Sequence, residues 1–319
     1  MAASWEYEWL HKLACGPASA RRENQYAVLT AAHALLDVAN PRAQNKHEEK
    51  GENMFKDLFS LDGRIALVTG GSRGIGKMIA AGFLAQGAAK VYITARKAGP
   101  CEATANELAA EYGGECIALP IDISTVAGCE QLASEIIKLE PKLDILVNNA
   151  GAAWGAEFDE FPESGWDKVM DLNVKSLFFL TKALAKPLRA AASAERPAKV
   201  INIASIDGIF VNPMETYSYA ASKAAVIHLT RRMAAKLIKE HINVTAIAPG
   251  AFKSDMNRAA RDHGDEVAMR VPARRVGTDE DMAGVAIYLA SRAGDYVVGN
   301  TIAVDGGVVY ATAGSEIAG

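Results

Sequence analysis

The chain has 319 residues, 50% of them hydrophobic and 23% charged, the balance of a soluble globular protein with room for one large domain or two modest ones. Its formal net charge of −4 offers no basic excess to nucleic-acid phosphates, and no apolar run approaches the roughly 20 residues of a membrane span. Four cysteines, Cys15, Cys101, Cys116 and Cys129, show neither a CxxC nor a metal-ligand spacing, so they read as buried or inert thiols of a reducing cytosol.

Composition changes near residue 54. Before it, residues 26–39 can form one amphipathic helix and residues 42–53 are almost wholly polar. Glu6 and Glu8 exclude a secretory leader, and with Glu23 they argue against a mitochondrial presequence. Residues 1–53 are therefore expected to be an extension, poorly ordered or partly helical, and residues 54–319 the folded domain. Met54, followed by Phe55-Lys56-Asp57-Leu58-Phe59, reads as a native start for that domain.

Beyond it, short apolar runs at 64–69, 90–94, 117–121, 144–148, 199–203, 243–248 and 301–304 read as buried strands. Segments of helical period lie between them, among them 76–85, 126–139 and 218–240. Strands alternating with helices predict one α/β domain, a doubly wound, Rossmann-like parallel sheet with helices on both faces.

The first strand runs into Gly70-Gly71-Ser72-Arg73-Gly74-Ile75-Gly76 and then a helix. Glycines there allow a tight turn and let backbone N–H groups approach a pyrophosphate at the helix N-terminus. After the second strand, an NAD site usually carries an acid for the ribose hydroxyls. Ala95 stands there, followed by Arg96 and Lys97, and Arg73 adds a third positive group. Arginine grips a 2′-phosphate through charge-assisted hydrogen bonds, so the cofactor is expected to be NADP(H).

Tyr219 and Lys223 lie four residues apart, on one face of a predicted helix. A free phenol titrates near pH 10, and a lysine beside it is expected to favour the phenolate and make Tyr219 a general acid–base. Tyr217 has Ala221 in the partner position and reads as structural. Ser205 follows the fifth strand, 14 residues before Tyr219, where its hydroxyl can meet a substrate oxygen. The six histidines are scattered and suggest no metal, and His228 reads as packing or interface.

The Gly-x3-Gly-x-Gly turn, Asn148-Asn149-Ala150-Gly151 and the Tyr219/Lys223 pair together resemble the short-chain dehydrogenase/reductase family, over residues 61–308. The resemblance implies a catalytic set of Asn173, Ser205, Tyr219 and Lys223, with Asn173 holding a water that relays protons to Lys223. It implies that Asp122 contacts the adenine and that Asn149, Ala150 and Gly151 line the adenosine side. Gly70, Ser72, Arg73, Gly74, Ile75, Gly76 and Arg96 complete that end, with Tyr219 and Lys223 at the other. Pro249-Gly250-Ala251-Phe252-Lys253-Ser254 matches the loop that holds the nicotinamide amide, with Ser254 where threonine is more usual and Phe252 where a branched aliphatic often stands.

By the same resemblance, residues 255–275 form the mobile loop that covers the substrate, and Trp154, Ile209, Phe210, Asn212 and Met214 line its pocket. Within the family the likeness runs to 3-oxoacyl-thioester (acyl-carrier-protein) reductases of the rhamnolipid-biosynthesis type. That implies reduction of a 3-oxoacyl thioester in the cytoplasm and docking of an acidic acyl carrier protein. Arg196 matches one of two basic docking positions, whereas the other falls on Ala235, beside Lys236. A homotetramer packed through residues 172–188 and 218–240 is implied as well. A sugar, polyol or other secondary-alcohol dehydrogenase is the alternative, and a non-catalytic nucleotide-binding sensor the remote one.

Overall fold

The computed structural model describes residues 55–312. The chain divides into two units, Met1–Asp57 and Leu58–Gly319, and among the described residues every strand belongs to the second. The readings of residues 1–53, Cys15 among them, lie outside the described residues.

Seven strands form the sheet: β1 (Ile65–Thr69), β2 (Lys90–Thr94), β3 (Glu115–Leu119), β4 (Ile145–Asn148), β5 (Ala198–Ile203), β6 (Ile242–Pro249) and β7 (Thr301–Val304). Their order is β3-β2-β1-β4-β5-β6-β7, and every neighbouring pair is parallel. Because side chains alternate across a strand, each face takes every second residue. Ala66 and Val68 of β1 join Ile93, Val147 and Ile201 on one face, under α1 (Gly74–Ala85), α2 (Ala98–Tyr112) and the late helix Asp279–Ala290. Leu67 joins Tyr92, Leu146 and Val200 on the other, under α3 (Val126–Leu139) and the helices that follow β4 and β5. Burying one such Leu, Ile or Val contributes roughly 1.5–3 kcal/mol, so residues buried on both faces explain runs that are apolar throughout.

After β4 come α4 (Glu163–Met170), a π turn over Asp171–Lys175, α5 (Ser176–Ala183) and α6 (Ala185–Ala191). A long helix, α7 (Tyr217–Leu237), follows β5. Residues 255–275, expected as irregular loop, contain two short helices, α8 (Arg258–Asp262) and α9 (Gly264–Met269). Asn257 starts the first of them by accepting the Ala260 N–H at 3.1 Å. The last helix is α10 (Asp279–Ala290), opened by a capping box between Thr278 and Asp281.

The third strand lies two residues earlier than the apolar run suggested. Pro120 sits inside 117–121, and proline has no N–H for a ladder, so pairing with β2 stops at Leu119↔Thr94.

Candidate active site

The winding of the chain reverses between β1 and β4, which leaves a crevice at the carboxyl ends of those strands. Asn149 ties its two walls together, donating to the Thr69 carbonyl at 2.8 Å and the Gly70 carbonyl at 3.2 Å. Thr69 Oγ1 in turn accepts the N–H groups of Asn149 and Ala150. Gly70 takes φ +65°, and a Cβ there would stand 2.9 Å from Asn149 Nδ2. A Cβ on Gly76 would lie 2.3 Å from the Gly70 carbonyl oxygen, so this close turn admits only glycine.

Arg73 precedes α1 without a side-chain capping bond to its first turn. Those first N–H groups are left open to an anion, and the residues fit a dinucleotide pyrophosphate. Ser72 anchors the turn through its carbonyl, which accepts Thr104 Oγ1 at 2.9 Å, and Ile75 packs on the first core. Gly74 places its Cα so near residue 254 that a Cβ would meet Ser254 Cβ at 3.3 Å. Arg73 itself reaches the segment after β6, with Nη1 2.6 Å from Asp255 Oδ2, and Arg261 Nη1 holds the other oxygen at 2.7 Å. Arg96, exposed just beyond β2, makes no ion pair among the described residues. Asp122, exposed beyond β3, accepts the Ser124 N–H at 2.9 Å. Pro249 ends β6, and Gly250 backs so closely onto Asp305 that a Cβ would lie 2.7 Å from the Asp305 Cβ, too near to fit. The Phe252 ring is buried against Gly277, so only its backbone is left to face a cofactor. Ser254 Oγ accepts the Asn257 N–H at 3.1 Å and keeps its own proton to donate.

The chemical residues converge at the ends of β5 and β6. Ser205 follows β5 and its hydroxyl accepts the Asp207 N–H at 3.2 Å, which fixes its rotamer. Lys223 is buried, with Nζ donating to the Ile203 carbonyl at 2.8 Å and lying 5.5 Å from the Tyr219 ring centre. Burial pushes the Tyr219 phenol up to about 12; a hydrogen bond with Ser205 opposes the rise and the Asp207 charge adds to it. Burial pushes the Lys223 ammonium down to about 8, while Asp207 draws it up. Both shifts follow first from burial, which disfavours the charged form of each group. The ammonium is itself desolvated and turned to a backbone carbonyl, so the resting phenol stays protonated.

Asn173 lies in the π turn, 2% exposed. Its side chain accepts the Ala152 N–H at 2.8 Å and donates to the Ala152 carbonyl at 3.0 Å and to Ser222 Oγ at 2.9 Å. Both Nδ2 hydrogens are thus committed to joining the β4 turn to α7, next to Gly151, whose Cβ would lie 3.2 Å from Asn173 Oδ1. π turns inside helices frequently mark functional sites, and this one places the fourth expected residue against the Lys223 helix.

The expected pocket residues differ in exposure and in what they touch. Phe210 and Met214 stay on the loop after Ser205, Met214 exposed. Ile209 packs on the second core, and Trp154 lies flat on Gly165, with Lys168 Nζ 5.1 Å from its ring centre. Arg196 is not at this end at all. It precedes β5, reaching Asp144 at 3.7 Å and the Asp62 carbonyl at 3.4 Å, residues that precede β4 and β1. In a parallel sheet that is the edge opposite Ser205 and Tyr219. Tyr217 behaves as read from its spacing, donating to Glu215 at 2.9 Å and stacking edge-on with Phe158 and Phe161. The residue missed is Ser222, which Asn173 reaches; its sequence signal was a hydroxyl just before Lys223.

Among the described residues no cluster of His, Cys, Asp or Glu could hold a metal, and no helix is long and apolar enough to cross a membrane. A family profile described as Enoyl-(Acyl carrier protein) reductase matches residues 70–309. The chain is 50% identical over 252 residues to the rhamnolipids biosynthesis 3-oxoacyl-[acyl-carrier-protein] reductase of Pseudomonas aeruginosa, 78% of this chain and 97% of that protein. It is 39% identical over 257 residues to the 2-dehydro-3-deoxy-D-gluconate 5-dehydrogenase of Dickeya dadantii, 80% of this chain and 98% of that one. The solved structure of the Pseudomonas aeruginosa RhlG/NADP active-site complex superposes with a TM-score of 0.76 at 50% identity, covering 79% of this chain and 98% of that one. With this site geometry on this sheet, the chain belongs to the short-chain dehydrogenase/reductase family of oxidoreductases.

Proposed function

We propose that the chain is an NADP(H)-dependent reductase that converts the ketone of a 3-oxoacyl thioester to the 3-hydroxyacyl thioester. The observation that carries it is the convergence of Ser205, Tyr219 and Lys223 after β5, with Lys223 buried, bonded to the Ile203 carbonyl at 2.8 Å and 5.5 Å from the Tyr219 ring centre. NADP(H) is the cofactor because basic groups stand where an acid would hold the ribose hydroxyls. Arg96 follows β2, and Arg73 lies on a turn whose Gly71 N–H bonds the last residue of that strand, Thr94, at 3.2 Å. The similar Pseudomonas aeruginosa structure also holds NADP.

When bound, the nicotinamide supplies the hydride for carbonyl reduction or accepts it in reverse. The turn from Gly70 to Gly76 would hold the pyrophosphate on the open end of α1. Ser205 would orient the substrate carbonyl oxygen and Tyr219 would deliver its proton there. Lys223 supplies positive charge beneath the phenol, and Asn173 braces the wall between the β4 turn and α7.

The thioester reading rests on the 50% identical reductase and on an apolar rim. Loops at the carboxyl ends of β4, β5 and β6 leave Phe158, Val211, Met214 and Met256 exposed, a surface suited to an acyl chain. An acyl carrier protein, if used, would meet the exposed Lys253, Arg258 and Arg270 rather than Arg196. The second reading, a polyol or sugar dehydrogenase, is favoured by Glu157 and Glu215, hydrogen-bonded to each other on the same rim and able to accept from hydroxyls. The proposal places the enzyme in the cytoplasm as a homotetramer packed through α5, α6 and α7, where Phe178 is exposed.

Oxidation of NADPH and NADH with acetoacetyl-CoA, then with a polyol and ketose panel, tests the reading. Rapid turnover of the thioester with NADPH is expected. Silence there with activity on a polyol would move the chain to the second reading. Cofactor binding without turnover of any substrate would leave a nucleotide sensor.

A further inference from the structure

Ser222 stands between the two reactive groups of α7, three residues after Tyr219 and one before Lys223, and it is wholly buried. Its Oγ donates to the Tyr219 carbonyl at 2.7 Å and accepts Asn173 Nδ2 at 2.9 Å. A helical serine that bonds its own preceding turn is ordinary, and on an exposed face it means little. Here the acceptor side of the oxygen is filled as well, by a buried side chain from the π turn, 49 residues away in the chain. Asn173 in turn clasps both backbone groups of Ala152, and just before it Asn149 and Ala150 are bonded to Thr69 at the glycine turn. One line of hydrogen bonds therefore runs from the wall of the dinucleotide crevice to the backbone of the tyrosine. Thr216, the N-cap of α7, makes no side-chain capping bond, so Ser222 supplies the first turns with an anchor that the cap does not.

We propose that Ser222 is a positioning residue for the proton-transfer step: it passes the hold of Asn173 on the β4 turn to the Tyr219 backbone and so sets the reach of the phenol to the substrate oxygen. The inference rests on the reading of Tyr219 as the proton donor and adds what places it. Lys223 is held from another direction, by the Ile203 carbonyl at the end of β5. The phenol and the ammonium are thus placed by the ends of different strands, and the bonds at Ser222 fix the share of the tyrosine. With alanine at 222 the Tyr219 carbonyl loses its hydroxyl partner and Asn173 loses one acceptor for Nδ2. The wall offered to the cofactor stays in place, since Asn173 still clasps Ala152 through its oxygen and its other hydrogen. Chemistry is sensitive to such a shift, because a misplacement of about 1 Å can cost about 100-fold in rate.

The test is the kinetics of Ser222→Ala with acetoacetyl-CoA, or with whichever polyol or ketose the wild-type protein turns over, beside NADPH affinity by fluorescence. Alanine favours a helix, so the variant is expected to fold. Its kcat should fall about 10- to 100-fold with NADPH affinity kept, and the solvent deuterium isotope effect should rise, because transfer from a misplaced phenol becomes the slow step. Ser222→Cys, of similar shape with a weaker donor and acceptor, is the second variant and must lie between serine and alanine. Asn173→Ala combined with Ser222→Ala should be no slower than Asn173→Ala alone, as two links of one chain require. An unchanged isotope effect, or losses that multiply across the two sites, would make Ser222 merely structural and overturn the proposal. Failure of the Tyr219 reading looks different: Tyr219→Phe itself would keep most activity. A protein that turns over none of these substrates is read by NMR of its labelled tyrosine Cζ atoms, the Tyr219 signal being assigned by its loss in Tyr219→Phe. That signal must move in Ser222→Ala, and an unmoved one overturns the proposal.

Discussion

Burial acts on Tyr219 and Lys223 in opposite senses because their charged forms are opposite. The phenol is charged when it loses its proton, so desolvation pushes it up to about 12; the amine is charged when it keeps its proton, so desolvation pushes it down to about 8. Below pH 8 the pair is a neutral phenol over an ammonium, the form a reduction needs. As pH rises through about 8 the ammonium is lost first, while Tyr219 stays protonated. Reductase kcat/KM should therefore be level near neutrality and fall above about pH 8, and a profile flat to pH 10 would show that the Lys223 charge is not used. The proton itself comes from Tyr219. Tyr219→Phe should lower kcat by about 10²–10⁴-fold, the usual contribution of a general acid, while NADPH affinity measured by fluorescence is kept. Survival of most activity in that variant would remove Tyr219 from the catalytic role.

Two elements that meet at the glycine turn, the start of α1 and the segment after β6, share the Arg73–Asp255–Arg261 bridge. Exposed ion pairs contribute roughly 0–1 kcal/mol, so a doubly charged 2′-phosphate can take Arg73 from Asp255 at small cost. Asp255→Asn should tighten NADPH binding by about two- to five-fold, the range that energy allows, and leave NADH unchanged. Arg73→Ala combined with Arg96→Ala should raise the KM for NADPH far more than for NADH, and equal changes would mean that neither arginine reads the phosphate. The glycine turn was legible in the sequence because its glycines sit where a Cβ would strike backbone, as at Gly76 and Gly70. The strands were legible because both faces are covered. Their ends were less so: the run at 117–121 hid the consequence of Pro120, and residues 255–275 lacked the apolar period that reveals helices, though α8 and α9 form there. Ser222 was illegible for a different reason. Its meaning comes from Asn173 in the π turn reaching α7, a contact between positions that sequence spacing does not pair.

At the scale of the whole chain, the sheet and the catalytic residues all lie within the unit Leu58–Gly319. The family profile begins at residue 70, and 252 residues of this chain match 97% of the Pseudomonas aeruginosa reductase. Every hydrogen bond named at the active site joins residues after Thr69 or Thr69 itself. Among the described residues the buried core is built from Leu61 onward, and tolerance of truncation follows burial and hydrogen bonding rather than position in the sequence. Removal of residues 1–53 should leave kcat/KM with NADPH unchanged within about two-fold, with the same thermal midpoint by calorimetry. A loss of activity beyond about ten-fold, or a lowered midpoint, would make the segment part of the working enzyme. Sedimentation of the same truncated protein separates the two ways that could arise: a dissociated assembly would assign the segment to subunit contacts, and an intact one would assign it to the fold of each chain.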